Sequence, residues 1–380
     1  MPGHDIIVIG GSAGGVEAVT RLAAGLPRDI PAAVFVVLHF PAEGTSVMPR
    51  LLTKAGKLPA AHAVDGEPIE PGRIYVAAPD RHLLLRPGEV RVTRGPRENG
   101  HRPALDPLFR SAAIAYGPRV VGVVLSGNLD DGSAGLVAVK RCGGVAVVQD
   151  PGDALFPGMP QNALAHTAAD HVLPLHAIAD TLDRLAREPA DQAGAFPVPD
   201  DIRRETDAAA LEPREVHADQ HAGHPSGFGC PDCGGALWEL REGELVRFRC
   251  RVGHAWSGDS LLAEQRGGLE TALWTALRAL EENASLALRL LERAKKRGQP
   301  IMVARMTEQG ATARTRAELI RRVLAEGFPG DLAGRATGVT SGSGEVAVDP
   351  AAFGQAELDQ AELGHTDRNG RYTVEQEPRP

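Results

Sequence analysis

The 380-residue sequence has few cysteines, no excess of positive charge and no long apolar run. Because the formal net charge is −8, general nucleic-acid binding is not expected. No apolar stretch is long enough to cross a bilayer, and the amino terminus lacks the basic and apolar regions of an export signal. These absences predict a cytoplasmic protein that does not insert into a membrane.

The four cysteines are distributed too unevenly for a disulfide framework. Cys142 stands alone, whereas Cys230, Cys233 and Cys250 lie near one another and His254 follows closely. The Cys-x-x-Cys spacing is typical of a zinc knuckle, and three thiolates with one imidazole would complete a tetrahedral site. We therefore expect a structural zinc. A thioredoxin-like redox pair is the alternative, although no βαβ pattern surrounds these residues.

An apolar, β-branched run ends in a glycine-rich turn around Ser12, and a helical pattern follows from Gly15. Free backbone N–H groups at such a turn favour a phosphate or the oxyanion of an ester reaction. A dinucleotide fingerprint is not expected, because Ser12 stands where the second glycine is needed and the next strand ends in His39. No Gly-Lys-Ser/Thr follows, which also argues against a P-loop.

Residues 1–187 alternate strand and helix patterns, which predicts a doubly wound, mostly parallel α/β sheet. Ser12, His39 and the pair Asp130-Asp131 each follow an apolar strand directly. Because the carboxyl ends of parallel strands share one edge, these residues should converge as nucleophile, base and acid. The alternative is a plain turn, a buried histidine and an aspartate that caps a helix.

The predicted strands cover residues 5–10, 33–38, 74–77, 119–125 and 144–149, with a hairpin over 83–92. The predicted helices cover residues 15–24, 105–116, 133–140, 160–167 and 176–187.

Several segments between residues 5 and about 187 are distinctive. In order they are Ile-Gly-Gly-Ser-Ala-Gly-Gly, Val-Val-Leu-His-Phe-Pro, Pro-Asp-Arg-His-Leu, Arg-Pro-Ala-Leu-Asp-Pro-Leu-Phe-Arg-Ser, Leu-Ser-Gly-Asn-Leu-Asp-Asp-Gly-Ser-Ala-Gly, and Gln-Asp-Pro with Phe-Pro-Gly-Met-Pro. The series resembles the catalytic domain of the chemotaxis protein-glutamate methylesterase (CheB-type) family.

The resemblance implies hydrolysis of glutamyl methyl esters on chemoreceptor helices, with deamidation of glutamines as a further activity and no cofactor at the catalytic site. It assigns the nucleophile to Ser12, the base to His39 and the acid to Asp131, with Asp130 as second choice. Asn128 stands where the family often has methionine. In the family's usual form a phosphoacceptor receiver domain precedes the catalytic domain, whereas Ser12 lies close to the start of this sequence. We therefore expect no gating of the active site by phosphorylation of such a domain in this chain.

The second half divides into four predicted parts. Residues 188–224 are expected to be a linker whose histidines, His217, His221 and His224, are solvated. Residues 225–258 should form a zinc ribbon. A helical hairpin should cover 259–328, with a disordered tail over 329–380. An apolar stripe of heptad type, Leu273, Leu277, Leu280, Ala284, Ala287 and Leu291, allows the hairpin to pack on itself, form a homodimer or bind a partner helix.

The sequence therefore predicts a serine methylesterase of residues 1–187 that acts on a methylated chemoreceptor or a related signalling protein. The alternative is a non-catalytic signalling scaffold, in which the esterase fold, the zinc ribbon and the hairpin only bind partners.

Overall fold

In the computed structural model, the described residues are 3–43, 46–190, 196, 198–211, 223–242 and 245–327. The predicted tail over 329–380 lies outside them, as do His217 and His221. All described helices and strands belong to one unit, Met1–Glu326. Within the described part of the chain, no helix combines the length and apolarity needed to cross a membrane.

A seven-stranded parallel sheet forms the centre of the first half, in the order β3-β4-β2-β1-β7-β8-β9. This confirms the predicted α/β class. A separate antiparallel hairpin, β5-β6, packs beside it. The strands are β1 (Ile6–Gly11), β2 (Ala33–Leu38), β3 (Ala60–His62), β4 (Ile74–Val76), β5 (His82–Arg86), β6 (Glu89–Thr93), β7 (Val120–Val124), β8 (Val145–Gln149) and β9 (His171–Leu173).

Helices cover both faces of the sheet, as the continuous apolar strands require. In β1, Ile7 and Ile9 face a layer that contains α1, α2 and α6, whereas Ile6 and Val8 face the layer of α3, α4 and α5. The helices are α1 (Gly15–Gly25), α2 (Met48–Ala55), α3 (Leu105–Tyr116), α4 (Ser133–Arg141), α5 (Gly158–His166) and α6 (Leu175–Arg187).

The central strand β1 marks the switch point of the sheet. From β1 the chain continues to β2 on one side, and β7 pairs with β1 on the other side. The carboxyl ends of all three strands align, because Gly10 is opposite Val37 of β2 and Val124 of β7. The loops that follow these strands therefore start side by side.

Residues 188–224 were predicted to be a linker, but the structure contains a helix there, α7 (Asp200–Ala209). Ile202, Glu205 and Ala209 share the inward face of this helix and are buried. With a single large apolar residue among them, the helical period is weak in the sequence. The helix is held instead by charge, since Glu205 pairs with arginines from two other elements.

The second half begins with a four-stranded antiparallel sheet in the order β10-β11-β12-β13. We call residues 224–257 the ribbon module. Its strands are β10 (His224–Gly229), β11 (Ala236–Glu242), β12 (Leu245–Cys250) and β13 (Ala255–Ser257). His224, predicted in the linker, is the exposed first residue of β10.

Two long helices, α8 (Gly258–Lys296) and α9 (Pro300–Glu326), form an antiparallel hairpin. Gly310 of α9 lies against Ala287 of α8, and Arg321 pairs with Glu281. The shared face contains four members of the predicted stripe, Leu277, Ala284, Ala287 and Leu291, which are all buried. The hairpin thus packs on itself, and a homodimer through it stays a prediction.

A buried cluster of charges joins the ribbon module to the first half. Glu98 and Glu205 are surrounded by Arg110 of α3 and by Arg247 and Arg249 of β12. The Arg247 guanidinium donates to both carboxylate oxygens of Glu205, at 2.6 and 2.7 Å. Such paired, hydrogen-bonded charges tolerate burial, but each becomes costly when its partner is removed.

Glu205→Gln should therefore destabilise the protein by about 3 kcal/mol at pH 7. Burial alone would raise the pKa of Glu205, but the charges of Arg247, Arg249 and Arg110 hold it well below the ordinary 4.5. The stabilisation is thus present above pH 4.5 and is lost as the pH falls through the lowered pKa. Urea unfolding at several pH values should show the largest difference in the free energy of unfolding between Glu205→Gln and the wild type near neutral pH.

Asp201→Asn is the matched control on the same helix, because Asp201 forms a half-exposed pair with Arg141. This change should cost at most about 1 kcal/mol. Equal destabilisation by the two variants would contradict the role assigned to the buried cluster.

Candidate active site

Ser12 lies in the turn between β1 and α1, at the carboxyl edge of the sheet. Its backbone N–H donates to Ser126 O at 3.0 Å, which ties the turn to the loop after β7. Gly14 precedes α1 with φ +71°, and a Cβ there would lie 2.8 Å from Ser126 Oγ. The glycine is therefore needed for both the backbone conformation and the close approach. As a result, Ser12 is partly exposed at the amino end of a helix.

The structure brings together Ser12, His39 and Asp131. His39 Nδ1 lies 3.0 Å from Ser12 Oγ, and His39 Nε2 lies 2.8 Å from Asp131 Oδ2. The side chains of His39 and Asp131 are 8% and 2% exposed. The three residues follow β1, β2 and β7, so their convergence comes directly from the parallel order of the strands.

Three further donors hold the Asp131 carboxylate. Leu105 N–H donates to Oδ2 at 2.7 Å, Asn99 Nδ2 donates to Oδ1 at 3.0 Å, and Asp106 N–H lies 3.4 Å from Oδ1. Gly10 permits this approach of α3, because a Cβ there would collide with the Leu105 side chain. Burial would raise the pKa of Asp131, but the hydrogen bond and charge of His39 and the Leu105 N–H keep it below its usual range.

Asp106 is a second buried carboxyl beside Asp131. Its Oδ1 accepts from Gly132 N–H at 3.0 Å and from Gly135 N–H at 2.7 Å, at the start of α4. Burial and the charge of Asp131 raise the pKa of Asp106 to about 8. The negative charge of the pair is therefore concentrated on Asp131, the carboxylate that contacts His39.

Asp130, the second choice for the acid, points elsewhere. Its Oδ1 accepts from Ser257 Oγ at 2.6 Å and from Ser260 Oγ at 2.9 Å, at the start of α8. Asp130 is therefore bound to the second half of the chain rather than to His39.

His101 was not a predicted site residue, yet its ring stacks on His39 with 3.7 Å between centroids. Burial and the charge of His39 lower the pKa of His101 to about 4, so it is neutral at neutral pH. A cleft of about 370 Å³ opens here, lined by His39, Phe40, Pro41, Ala42, Arg97, Gly100, His101 and Arg102. No sequence period reveals His101, because it lies in an irregular loop.

The loop after β7 closes the other side of Ser12. A Cβ on Gly127 would lie 3.0 Å from Ser12 Cβ and would collide with the buried Met159 side chain. Asn128, where the resembling family often has methionine, is exposed. His82 is a buried histidine that is hydrogen-bonded to Pro96 O and to the Ala104 N–H, outside the Ser12 site.

The ribbon module assembles the predicted metal ligands. One donor atom each from Cys230, Cys233, Cys250 and His254 lies within 4.8 Å of the others. Cys233 and Cys250 are separated by 3.7 Å between sulfurs, and His254 Nδ1 lies 3.7 Å from Cys230 Sγ. Metal–sulfur bonds of about 2.3 Å in a tetrahedron give edges of about 3.7 Å. The cluster can therefore hold a metal ion.

A serine, a histidine and a buried aspartate, joined by hydrogen bonds at the edge of a parallel sheet, form the arrangement used by serine hydrolases. Residues 7–182 match the CheB methylesterase family. This part of the chain therefore belongs to the CheB methylesterase family.

Two relatives illustrate the similarity. A protein-glutamate methylesterase/protein-glutamine glutaminase 5 of Anaeromyxobacter dehalogenans is 42% identical over 186 residues, which cover 48% of this chain and 51% of the relative. A protein-glutamate methylesterase/protein-glutamine glutaminase 2 of Methanosarcina mazei is 34% identical over 192 residues, covering 48% and 52%. The match thus spans about half the length of these relatives.

Among solved structures, the CheB methylesterase catalytic domain of Thermotoga maritima is 33% identical to this chain. The alignment covers 48% of this chain and 98% of that domain, with a TM-score of 0.46.

The variants Asp131→Asn and Asp130→Asn should distinguish the roles of the two neighbouring carboxylates. Asp131→Asn should lower kcat for ester hydrolysis by about 10⁴-fold, because the amide no longer orients His39 or stabilises its charged form. Asp130→Asn should lower it less than about 10-fold, since an amide oxygen can still accept from Ser257 and Ser260. Steady-state hydrolysis of p-nitrophenyl acetate measures both. A larger loss from Asp130→Asn would contradict the assignment.

Proposed function

We propose that residues 1–187 are a serine esterase that hydrolyses glutamyl methyl esters on a chemoreceptor or related signalling protein. The observation that carries this proposal is the hydrogen-bonded series Ser12 Oγ, His39 and Asp131 at the carboxyl edge of the sheet. The names of the similar proteins support the substrate class. The same site would deamidate glutamines, since both reactions transfer the same acyl group to water.

In the first step, Ser12 Oγ attacks the ester carbonyl while His39 Nδ1 takes the hydroxyl proton. Asp131 keeps the Nε2–H of His39 oriented and stabilises its charged form. Backbone N–H groups at the amino end of α1 stabilise the oxyanion. When the tetrahedral intermediate collapses, His39 returns the proton to the leaving methoxide, and methanol departs from a glutamyl–Ser12 ester.

In the second step, His39 takes a proton from water, and the resulting hydroxide attacks the glutamyl–Ser12 ester. Collapse of this intermediate breaks the ester bond and returns the proton to Ser12 Oγ. The products are a free glutamate side chain and the starting enzyme. No cofactor enters either step.

The cleft beside His39 supports a protein substrate rather than a deeply enclosed small molecule. It is open at the surface, and its rim includes the half-exposed Arg97. Arg97 lies 3.7 Å from Asp232 and Arg102 pairs with Asp80, so the rim offers a partner protein polar groups of both charges. We place this reaction in the cytoplasm, where the four free cysteines would stay reduced.

Ser12→Ala should reduce methanol release from a methylated chemoreceptor fragment by at least about 10³-fold, because the nucleophile is lost. Ser226→Ala is the matched control. Its hydroxyl donates to Leu237 O within the ribbon module, away from the site. Undiminished release from Ser12→Ala would contradict the mechanism.

We also propose that the Cys₃His cluster binds zinc as a structural ion. Four protein ligands leave no open position for a substrate, and the 3.7 Å separations of the donor atoms fit a tetrahedron with bonds of the lengths that zinc forms to sulfur and nitrogen. The role of zinc would be to stabilise the small ribbon module, whose apolar cluster contains few residues.

Purified protein should contain one zinc ion per chain by elemental mass spectrometry. Cys233→Ala should abolish stoichiometric zinc, because one of the four ligands is missing. Cys142→Ala, which changes the buried cysteine outside the cluster, should leave the zinc content unchanged. Full zinc content in Cys233→Ala would rule out this ligand set.

A further inference from the structure

One loop of the first half contacts both the candidate active site and the ribbon module. We call residues 97–101 the coupling loop. Asn99 N–H donates to Ala255 O at 2.8 Å, and Ala255 N–H donates to Arg97 O at 3.2 Å. Ser257 N–H donates to Asn99 Oδ1 at 2.9 Å. The loop is therefore paired with β13 along its backbone and through a side chain.

The same loop reaches the active site from its other side. Asn99 Nδ2 donates to Asp131 Oδ1 at 3.0 Å and lies 3.2 Å from Asp106 Oδ2. His101 stacks on His39. Two residues of one short loop thus contact the two side chains that would activate Ser12.

The amide of Asn99 is fully used. Its two donor hydrogens face Asp131 and Asp106, and its oxygen accepts from Ser257, so neither an aspartate nor an aliphatic side chain could make all three contacts. Asn99 also has φ +52°, a conformation that asparagine tolerates better than most residues. It is 7% exposed, so each lost contact would leave a buried polar group unpaired.

The Cys₃His cluster adjoins the part of the ribbon module that the loop contacts. His254 directly precedes β13, and its carbonyl accepts from Cys250 N–H at 3.0 Å. Trp256 of β13 is 2% exposed, belongs to the same buried cluster as Cys230 and Cys250, and has its ring against Gly100. Ligation of a metal ion by His254 and Cys230 would therefore restrain the residues that hold the coupling loop.

A second contact supports the same face. Ser257 is the N-cap of α8, and its hydroxyl accepts from Ser260 N–H and donates to Asp130. Ser260 Oγ also donates to Asp130. Both members of the Asp130-Asp131 pair are consequently connected to the start of α8 and to β13, one directly and one through Asn99.

We propose that the ribbon module is a built-in positioning element of the esterase site, with Asn99 as the positioning residue that orients Asp131. The inference rests on the proposed esterase function. It makes catalysis depend on an intact metal cluster that touches neither the substrate nor the reacting atoms. It also gives the chain a means of regulation, since release of the module would disorient Asp131 and His39.

Asn99→Ala tests the positioning role with p-nitrophenyl acetate as substrate. We expect kcat to fall about 10- to 100-fold with KM changed less than about 2-fold, since an interaction that matters for orientation is lost. The ionisable groups around Asp131 are His39, His82, His101, Asp106 and Asp130. Loss of the Asn99 donor makes Asp131 attract the protonated base more strongly, so the acid limb of the kcat/KM profile should move to higher pH. Thr181→Ala, which removes a hydroxyl that donates to Ala177 O within α6 and touches neither the coupling loop nor the ribbon module, should change neither quantity.

Metal removal provides a second test that does not alter the loop. Chelation of the intact protein, or Cys233→Ala, should lower kcat about 10-fold, and added zinc should restore the chelated protein but not the variant. Thermal unfolding of the metal-free protein checks that the first half remains folded. Cys142→Ala is the control for cysteine substitution, and without chelator it should keep the kcat of the wild type.

The outcomes separate the two proposals. If wild-type protein does not hydrolyse the ester, the proposed function fails. If wild-type protein is active but folded Asn99→Ala keeps its kcat and pH profile, the positioning role is overturned. If Asn99→Ala does not fold, the metal-removal test decides, and unchanged kcat in folded, metal-free protein overturns the proposal.

Discussion

The buried carboxylate of Asp131 is the constraint on which the rest of the structure depends. A charge that is 2% exposed is tolerated only when it is paired and hydrogen-bonded. Here the partners come from separate parts of the chain: His39 after β2, Leu105 at the start of α3 and Asn99 in the coupling loop. The hydrogen bonds of this one carboxylate therefore connect the sheet, the helix layer and the coupling loop.

Satisfying Asp131 also links the two halves of the chain. Asn99 can donate to Asp131 in this geometry because β13 fixes its backbone and Ser257 fixes its amide oxygen. The buried charges of Glu98 and Glu205 hold β12 beside the same loop. The ribbon module, which the sequence predicts only as a distinct part of the second half, thus contributes to the environment of the active site.

The sequence was sufficient to predict the parallel sheet and the convergence of Ser12, His39 and Asp131. Each of these residues directly follows an apolar strand, and the carboxyl ends of parallel strands share an edge, so no long-range detail was needed. The strands β3 and β9 escaped prediction because their three residues are only partly buried or exposed and form no apolar run, unlike the buried Ile-Tyr-Val of β4. Helix α7 escaped it because ion pairs of Glu205, rather than an apolar stripe, hold that helix.

Asn99, His101 and Asp106 could not be predicted as neighbours of the site. The coupling loop has no regular period, and its conformation is set by β13, more than a hundred residues later in the chain. The preference of Asp131 over Asp130 was suggested only by resemblance, because the sequence alone does not say which carboxylate turns towards His39. The contacts of Asp130 with Ser257 and Ser260 explain its orientation.

The most direct test of the account is covalent labelling with a fluorophosphonate, followed by peptide mass spectrometry. If Ser12 is a nucleophile activated by His39, the label should be found on the peptide that contains Ser12. The labelling rate should fall at least about 100-fold in His39→Ala, since the base is then missing. Absence of label from folded wild-type protein, or equal labelling of His39→Ala, would contradict the account.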